Sequence, residues 1–288
     1  MNVQCLCLGS ANIDMVASVT RNPRTDEKVK IQDISQYYGG SAANTATCLA
    51  RLGVRTAMVA RVGKDHNGDL IITRLEHEGV ITDHVIRSKG KSGYTFIGLE
   101  PGGMRVIYDF KGTNALLDPR DVPPIAADVP VVFVAGIDER GIAFAKDAFQ
   151  RARYSIFAPS GYMIKEGIEP LLEISDLLIL NEYEWELVQK VSPGFTGDVV
   201  ITKGAEGALA IIDGEEVQVP AFSVEPVDTT GAGDAFCGGF IYGFIQDLST
   251  AERLRLGCAT AAMNTRGYGA RGGMPILEDL EKFLEENR

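Results

Sequence analysis

Short apolar runs alternate along the chain with longer stretches in which apolar residues recur at helical spacing. The runs of strand length occupy residues 3–8, 56–62, 131–135, 154–158, 177–180, 199–202 and 208–212. Several are apolar throughout, which is typical of strands buried on both faces. The stretches of helical periodicity occupy residues 42–52, 65–78, 141–152, 168–174, 182–191, 235–246, 250–266 and 277–286. This alternation predicts a three-layer α/β fold, in which a mainly parallel sheet carries helices on both faces.

Two segments depart from this alternation, because their apolar and polar residues alternate singly over residues 15–35 and 92–111. Single alternation is typical of antiparallel strands with one exposed face, so we expect a small β-sheet that acts as a lid. The predicted domains are a discontinuous lid of residues 11–35 and 92–111 and a main α/β domain of residues 1–10, 36–91 and 112–288. The alternative is that residues 15–17, Val29 and Ile31 belong to ordinary strands that pack on their own domain.

The 288 residues carry a formal net charge of −11. This acidic balance argues against nucleic acid or an anionic membrane as the main partner, because both require a basic face. No apolar run approaches the length of a membrane span and no segment resembles a signal peptide, so we expect a cytoplasmic protein. The five cysteines are an odd number and lie mostly within apolar stretches, which favours packed thiols over disulfides.

The most informative segment of the chain runs from residue 227 to residue 240, where a loop of small residues leads into a helix. Gly231, Ala232 and Gly233 lack bulk, so their N–H groups and the N-terminus of the helix can face one anion. Asp234 lies in the first turn, where its carboxylate would repel a bound phosphate unless it accepts a proton from an incoming hydroxyl. The alternative interpretation is that Asp228 or Asp234 only caps a buried helix.

The segment from Asp228 to Asp234, with the sequence Asp-Thr-Thr-Gly-Ala-Gly-Asp, resembles the C-terminal signature of the ribokinase or PfkB family of carbohydrate kinases. Further matches follow the order of that family from about residue 3 to residue 275. They lie at residues 9–14 (GSANID), 38–46 (YGGSAANTA), 181–184 (NEYE) and 202–207 (TKGAEG). The context of Tyr37 to Gly40 is similar to archaeal-type nucleoside and sugar kinases. The resemblance implies a ribokinase-like fold with a lid above the C-terminal ends of the main strands.

The resemblance also implies the reaction, which is ATP-dependent transfer of the γ-phosphoryl group to a primary hydroxyl of a sugar or nucleoside, with a ribosyl substrate favoured. Asp234 would be the catalytic base, and the amides of Gly231, Ala232 and Gly233 would stabilise the transferring group. No Walker-type phosphate loop and no protein-kinase catalytic loop occurs in the sequence. Two alternatives stay open, a phosphosugar kinase that uses Lys28, Lys30 and Arg105 and a non-catalytic sugar or nucleoside sensor.

The sugar side of the predicted site begins at Asp14, which follows the first buried strand closely enough to lie at its carboxyl end. One carboxylate can accept hydrogen bonds from two neighbouring hydroxyls. By resemblance Asp14 would bind adjacent sugar hydroxyls, and the residues expected to support it are Asn12, Gly40, Asn44 and, less directly, Asp138. Without the family, Asp14 would be interpreted as a turn residue and Asn44 as a polar residue at a helix end.

The nucleotide side is predicted from the second half of the chain. By resemblance Asn181 and Glu184 would organise Mg²⁺ and phosphate, Glu184 acting through water, although Glu184 could equally be a glutamate favoured by the helix dipole. The residues expected to line the triphosphate and ribose are Thr202, Gly204 and Gly207. The loop around Gly269, together with Asp228 and Thr230, resembles the site of a monovalent cation such as K⁺. The lid sheets of this family often pair, which suggests a homodimer.

Overall fold

The computed structural model of the chain describes residues 3–101, 104–165 and 167–287. The main sheet consists of β1 (Cys5–Gly9), β4 (Thr56–Gly63), β5 (Ile81–Ser88), β8 (Val131–Ala135), β9 (Ser155–Ala158), β10 (Leu177–Asn181), β11 (Asp198–Thr202), β12 (Ala208–Ile212) and β13 (Glu215–Val219). Their order across the sheet is β13-β12-β11-β10-β9-β8-β1-β4-β5. The strands from β5 to β11 pair in parallel, and β12 and β13 continue the sheet as antiparallel strands.

Helices cover both faces of this sheet. They are α1 (Ser41–Arg51), α2 (His66–His77), α3 (Ile142–Arg151), α4 (Gly161–Lys165), α5 (Glu169–Leu172), α6 (Glu182–Val191), α7 (Ala232–Ile245), α8 (Thr250–Asn264) and α9 (Leu277–Glu286). Along β1, Cys5 and Cys7 pack with α1, α2, α7 and α8, whereas Leu6 and Leu8 pack with α3 to α6 on the opposite face. Both faces are buried because successive side chains of a strand alternate between two apolar layers. This is the three-layer arrangement that the sequence pattern predicts.

A second, four-stranded sheet has the order β3-β2-β6-β7. Its strands are β2 (Asn12–Val19), β3 (Ile31–Gly39), β6 (Gly93–Leu99) and β7 (Arg105–Phe110). We call this sheet the lid. β2 and β6 are parallel and the outer pairs are antiparallel. The predicted lid range 92–111 includes residues 102 and 103, and the predicted main domain includes residues 1, 2, 166 and 288; these six residues lie outside the described part of the chain.

Only Ser10 and Ala11 separate the central strand β1 of the main sheet from β2 of the lid. The buried side chain of Asn114 holds this connection, since its Oδ1 accepts from the N–H of Ala11 and its Nδ2 donates to the carbonyl oxygen of the same residue, both at 3.2 Å. On the other side, Gly40 connects β3 to α1 with φ 94°. The lid therefore joins the main domain close to the carboxyl end of β1.

Across the described residues, no helix has both the length and the apolar character that a bilayer crossing requires. All five cysteines are buried and free.

Candidate active site

The loop that precedes α7 is shaped by Gly231, which caps the helix in a left-handed conformation with φ 74°. A Cβ at this position would lie 2.3 Å from the carbonyl oxygen of Ala270, so only glycine fits between the two loops. The first hydrogen bond of α7 runs from the N–H of Ala235 to the carbonyl oxygen of Gly231. The N–H groups of Gly233 and Asp234 precede it and have no partner within the helix. These N–H groups can donate to an anion, and the helix dipole favours negative charge there, so we call residues 231–233 the anion loop.

Asp234 stands beside this anion loop and contacts α1. Its Oδ2 accepts a hydrogen bond from Asn44 Nδ2 at 2.7 Å, and Thr45 Oγ1 donates to its carbonyl oxygen at 3.2 Å. Glycines allow this approach, because a Cβ on Gly238 would lie 2.5 Å from the sulfur of Cys48 on α1. α1 and α7 thus pack closely enough to join residues that are 190 positions apart.

Burial raises the pKa of Asp234 from 3.8 to about 6. Hydrogen bonds from Asn44 and Ser41 and the positive charge of Arg271 work in the opposite direction, whereas the negative charge of Asp14 adds to the rise. A carboxyl group with this pKa is mostly ionised at pH 7 and still basic enough to accept a proton. The geometry and the pKa of Asp234 both suit a general base.

Asp14 lies on β2, next to the connection with the main sheet. Its Oδ1 accepts from Asn12 Nδ2 at 2.5 Å, and the same amide lies 3.2 Å from Thr95 Oγ1 on β6. Burial raises the pKa of Asp14 to about 6, although Thr95, Arg271 and Asn12 lower it. The negative charge of Asp14 raises the pKa of Asp234, and that of Asp109 raises the pKa of Asp14, so acidic groups face one region here.

A cavity of about 490 Å³ lies between the lid and the main domain. We call it the acceptor cavity. Asp14 lies in its wall, with Arg105 of β7 and apolar lid residues such as Val16 and Ile97. The opposite wall is made by residues 226–230 and 268–270, which include Asp228, Thr230 and Gly269. This cavity therefore offers a polyol several polar and charged groups next to apolar lid residues.

Two further cavities lie on the other side of the anion loop. The first, of about 170 Å³, is bordered by Asn181, Glu184, Thr202, Gly233 and Asp234. The second, of about 370 Å³ and mainly apolar, is bordered by Thr202, Gly204, Gly207, Ala232 and Gly233, with Phe222, Val224 and Phe236 among its apolar residues. Thr202 and Gly233 border both, so the two cavities adjoin. We call them the phosphate cavity and the base cavity.

Asn181 and Glu184 form a reciprocal capping box at the start of α6. The N–H of Glu184 donates to Asn181 Oδ1 at 2.9 Å, and Glu184 Oε2 accepts from the N–H of Asn181 at 3.0 Å. Glu184 Oε1 also accepts from the N–H of Gly161 at 3.2 Å. Burial raises the pKa of Glu184, while these backbone hydrogen bonds lower it. The helix-cap interpretation therefore describes part of the role of Glu184, and its carboxylate still borders the phosphate cavity.

Asp228 joins the two loops that border the acceptor cavity. Its Oδ1 accepts from the N–H of Thr230 and its Oδ2 from the N–H of Gly269, both at 2.9 Å. Burial acts to raise the pKa of Asp228, but hydrogen bonds from Thr230 and Gly269 outweigh it and leave the pKa below its ordinary value. Gly269 has φ 74°, and a Cβ there would lie 2.4 Å from the ring of Tyr37.

Most of the residues predicted for the site come together around the anion loop. Asp138 does not border the acceptor, phosphate or base cavity; it is buried, and its Oδ1 accepts from the N–H of Arg140 at 3.1 Å as a cap of residues 139–141. Gly40 contributes only backbone atoms, since a Cβ there would lie 2.5 Å from the carbonyl oxygen of Ser10.

The structure adds three residues that were not predicted from the sequence, namely Arg271, Thr95 and Ser41. A charged residue within a glycine-rich loop was the available signal for Arg271.

A family model described as pfkB family carbohydrate kinase matches residues 3–277. The chain belongs to the pfkB family of carbohydrate kinases. A ribokinase of Lactococcus lactis is 29% identical to this kinase over 296 residues, which cover 97% of this chain and 96% of the relative. Ribokinase from Thermotoga maritima superposes with a TM-score of 0.89 at 26% identity, covering 99% and 100% of the two chains. Arabidopsis thaliana ribokinase, solved with ribose and ATP, gives 0.87 at 27% identity and covers 99% of each chain.

These likenesses confirm the family and the ribokinase-like fold that the sequence motifs predict. They also confirm the class of enzyme, a phosphotransferase with an alcohol group as acceptor.

Proposed function

We propose that this carbohydrate kinase transfers the γ-phosphoryl group of ATP to a primary hydroxyl of a ribosyl substrate. The observation that carries the proposal is the position of Asp234, whose carboxylate lies at the anion loop, borders the phosphate cavity and interacts electrostatically with Asp14. A group in that position can reach an acceptor hydroxyl and the phosphoryl group that it attacks. The ribokinases of Lactococcus lactis and of Arabidopsis thaliana, the latter solved with ribose and ATP, support the choice of a ribosyl acceptor.

The acceptor is held in the acceptor cavity by Asp14. Asn12 Nδ2 donates to Asp14 Oδ1, so the amide fixes one oxygen, and Asp14 Oδ2 is available to accept from sugar hydroxyls. Asn44 uses one N–H on Asp234, and its second amide hydrogen can donate to the substrate. Gly40 has no side chain, so the substrate can approach the backbone at this position. Asp138 remains a proposed contributor only through the position of its loop, because its carboxylate already caps residues 139–141.

In the transfer step, Asp234 accepts the proton of the primary hydroxyl while the hydroxyl oxygen forms a bond to the γ-phosphorus. The bond from that phosphorus to the bridging oxygen breaks, and ADP leaves with the electron pair. The N–H groups of Gly231 and Gly233 are the proposed donors that stabilise the negative charge of the transferring group. The N–H of Ala232, which was expected to join them, donates to the carbonyl oxygen of Thr229 at 3.2 Å. The apolar walls of the base cavity, next to Gly204 and Gly207, suit an adenine ring.

Mg²⁺ fits the phosphate cavity. Glu184 presents a carboxylate there, and Mg²⁺ prefers oxygen ligands, keeps several waters and is held by few carboxylates plus substrate phosphates. Within the described residues, no three His, Cys, Asp or Glu side chains form a metal-binding group, so Glu184 and Asn181 are the proposed protein contributors. Bound Mg²⁺ would neutralise charge on the phosphates and orient them.

A monovalent cation such as K⁺ fits the loops joined by Asp228. The carbonyl oxygen of Thr230 accepts from Asn264 Nδ2 at 3.1 Å, and Oδ1 of the same buried amide has no hydrogen-bond partner among the described residues. A buried oxygen without a donor is costly unless a cation or water satisfies it. The proposed ligands are the carboxylate of Asp228 and backbone oxygens near Thr230 and Gly269.

One observation favours the phosphosugar kinase, and another argues against the sensor. Arg105 lies in the wall of the acceptor cavity, and its Nη1 is 3.4 Å from Thr230 Oγ1, so a substrate phosphate would find a cation there. Lys28 and Lys30 are exposed. A sensor without catalysis would keep the acceptor cavity but has no use for a base beside an anion loop.

The deciding experiment measures ADP release with ribose, deoxyribose, nucleosides, fructose, ribose 5-phosphate and fructose 6-phosphate, and identifies each product by mass spectrometry. A ribosyl kinase phosphorylates ribose, deoxyribose and nucleosides, and each product is heavier than its acceptor by the mass of one phosphoryl group. Turnover confined to the phosphorylated sugars would establish the phosphosugar kinase, and binding without turnover would establish the sensor.

The lid is the proposed surface for a homodimer. Its outer residues include several exposed apolar side chains, namely Ile31, Ile34, Val106, Ile107, Tyr108 and Phe110. These side chains lie on β3 and β7, the two edge strands of the lid, and an exposed strand edge can pair with a second chain. Sedimentation velocity of the wild type and of Tyr108→Glu tests the pairing, since a wild-type monomer at micromolar concentration would contradict it.

A further inference from the structure

Arg271 is a buried cation next to the proposed base. Arg271 belongs to a glycine-rich loop, and its side chain points into the protein, so the residue is only 8% exposed. Nε donates to Asn44 Oδ1 at 2.7 Å and Nη2 donates to the carbonyl oxygen of Gly39 at 3.2 Å. Nη1 is buried without a hydrogen-bond partner among the described residues. Burying a guanidinium with an unsatisfied donor costs stability, so a gain elsewhere must offset it.

The hydrogen bond from Arg271 determines how the amide of Asn44 is oriented. A guanidinium nitrogen carries only donors, so the amide atom that meets Nε has to be the oxygen. The amide nitrogen then faces Asp234 and donates to its Oδ2. A rotated amide would place its oxygen against the carboxylate and its NH₂ group against the guanidinium, and both contacts would be repulsive.

A second arginine fixes the backbone of Arg271. Arg51 on α1 donates from Nη1 to the carbonyl oxygens of Arg271 and Met274, at 3.0 and 2.8 Å. Arg51 is itself held by Glu78 through two hydrogen bonds of 2.7 and 2.9 Å. The backbone of Arg271 is therefore held by Arg51 and Glu78, which lie outside the site.

We propose that Arg271 is a positioning residue of this kinase, which aligns Asn44 with the base Asp234 and supplies the positive charge that keeps Asp234 and Asp14 ionised inside the site. The inference rests on the proposed function, because it needs Asp234 to act as the base.

The charges around Asp234 support this assignment. Asp14 on β2 acts to raise the pKa of Asp234 and Arg271 acts to lower it. Glu184 on α6 borders the same cavity as Asp234 and adds a second carboxylate there. The thiols of Cys48 on α1 and Cys237 on α7 also lie near Asp234, and burial raises the pKa of both, that of Cys48 to about 12. These thiols are neutral at neutral pH. Burial lowers the pKa of Arg271 to about 10, so the guanidinium is charged, and it is the cation that the two carboxylates share.

The first test measures the titration of Asp234 in the free protein by ¹³C NMR of aspartate carboxyl carbons, with Asp234→Asn to assign the signal. Arg271→Gln removes the charge, so the midpoint should rise by about one pH unit or more. Arg271→Lys retains the charge, so the midpoint should stay within about half a pH unit of wild type. Arg74→Gln is the matched control, because Arg74 pairs with Glu78 and does not contact Asn44. An unchanged midpoint in Arg271→Gln would overturn the charge role.

The second test measures the alignment role by kinetics. Arg271→Lys disrupts the contact between Arg271 and Asn44, and Asn44→Ser disrupts the contact between Asn44 and Asp234. Each variant should therefore lower kcat by about tenfold or more with little change in KM for ATP. The double variant should be no worse than the more damaged single variant. Independent, multiplicative losses would overturn the alignment role. Because the titration needs no substrate, it distinguishes failure of this inference from failure of the proposed kinase activity.

Discussion

The carboxylate of Asp14 lies directly against the α-carbon of Gly39. A Cβ at residue 39 would come 2.0 Å from Asp14 Oδ2 and 2.6 Å from its carboxyl carbon, so any side chain there displaces the carboxylate. Gly39 opposes Asn12 in the β2–β3 pair, and Asn12 holds the other carboxylate oxygen. The sequence Gly39-Gly40 thus creates the space in which Asp14 can face the acceptor cavity.

Gly39→Ala should raise KM for the acceptor by about tenfold or more and leave KM for ATP near its wild-type value, because the added methyl group moves Asp14 and touches no residue of the base cavity. The measurement is a two-substrate kinetic analysis. Gly194→Ala, at an exposed position where a Cβ meets no atom within 4 Å, is the matched control. Equal changes in both KM values would contradict the assignment.

Asp14→Ala should raise KM for the acceptor strongly, since it removes the proposed ligand of the sugar hydroxyls, and it should leave ATP affinity almost unchanged. Calorimetric titration with each substrate separates the two effects. Asp33→Ala removes an exposed carboxylate from the same lid and should bind the acceptor normally. Loss of both affinities would indicate a role of Asp14 in folding.

Asp234→Asn should fold and bind both substrates but lose roughly 10²–10⁴ in kcat, which is the usual contribution of a positioned general base. Asn keeps the size of the side chain and can still accept from Asn44, but it cannot take a proton. Single-turnover kinetics at saturating ATP make the measurement. A rate within about threefold of wild type would remove Asp234 from the mechanism.

The same variant should be more stable than the wild type at high pH. The pKa of Asp234 is raised to about 6 in the folded protein, so the native state binds more protons than the unfolded state between pH 4 and 6, and the wild type loses stability as the pH rises through that range. Asp234→Asn avoids this loss. Its Tm should exceed that of wild type by roughly 2–5 °C at pH 8, and the difference should shrink towards pH 4. A difference in Tm that does not depend on pH would contradict the raised pKa.

Glu184→Gln should raise the Mg²⁺ concentration required for half-maximal activity by about tenfold or more, because the amide retains the capping hydrogen bond but loses the charge next to the phosphates. Glu182→Gln, an exposed change in the first turn of the same helix, is the matched control. The measurement is activity as a function of Mg²⁺ at fixed ATP. A similar response of both variants would assign Glu184 to helix capping alone.

The fold could be predicted because the strands near the centre of the main sheet are apolar on both faces and the motifs follow one another in the family order. The edge strands were harder to predict from the sequence. β5, with the sequence ITDHVIRS, and β13, with EEVQV, carry polar residues on the exposed side of a sheet edge, so neither has the continuous apolar pattern of β1. The helix predicted at residues 168–174 spans only Glu169–Leu172, and Gly167 precedes it with φ 94°.

The candidate site was predictable where one segment contained the whole signal, as at Gly231 to Asp234. Contacts between distant segments were not. Asn44 and Arg271 are 227 positions apart, and nothing in the sequence of either segment indicates that a guanidinium orients the amide. The capping role of Asp138 was equally hidden, because a polar residue after a strand is compatible with ligand binding and with a local turn.

The order of the elements has a consequence for synthesis of the protein. Every strand in the described part of the chain ends by Val219, whereas Asp234 and Arg271 belong to the segment that follows. β1 and α1 are synthesised before α7 and the loop of residues 266–275, so the long-range contacts of the site form only after these later segments appear. Such contacts are the slow ones in folding. A nascent chain that has completed its sheets is therefore still without Asp234 and Arg271.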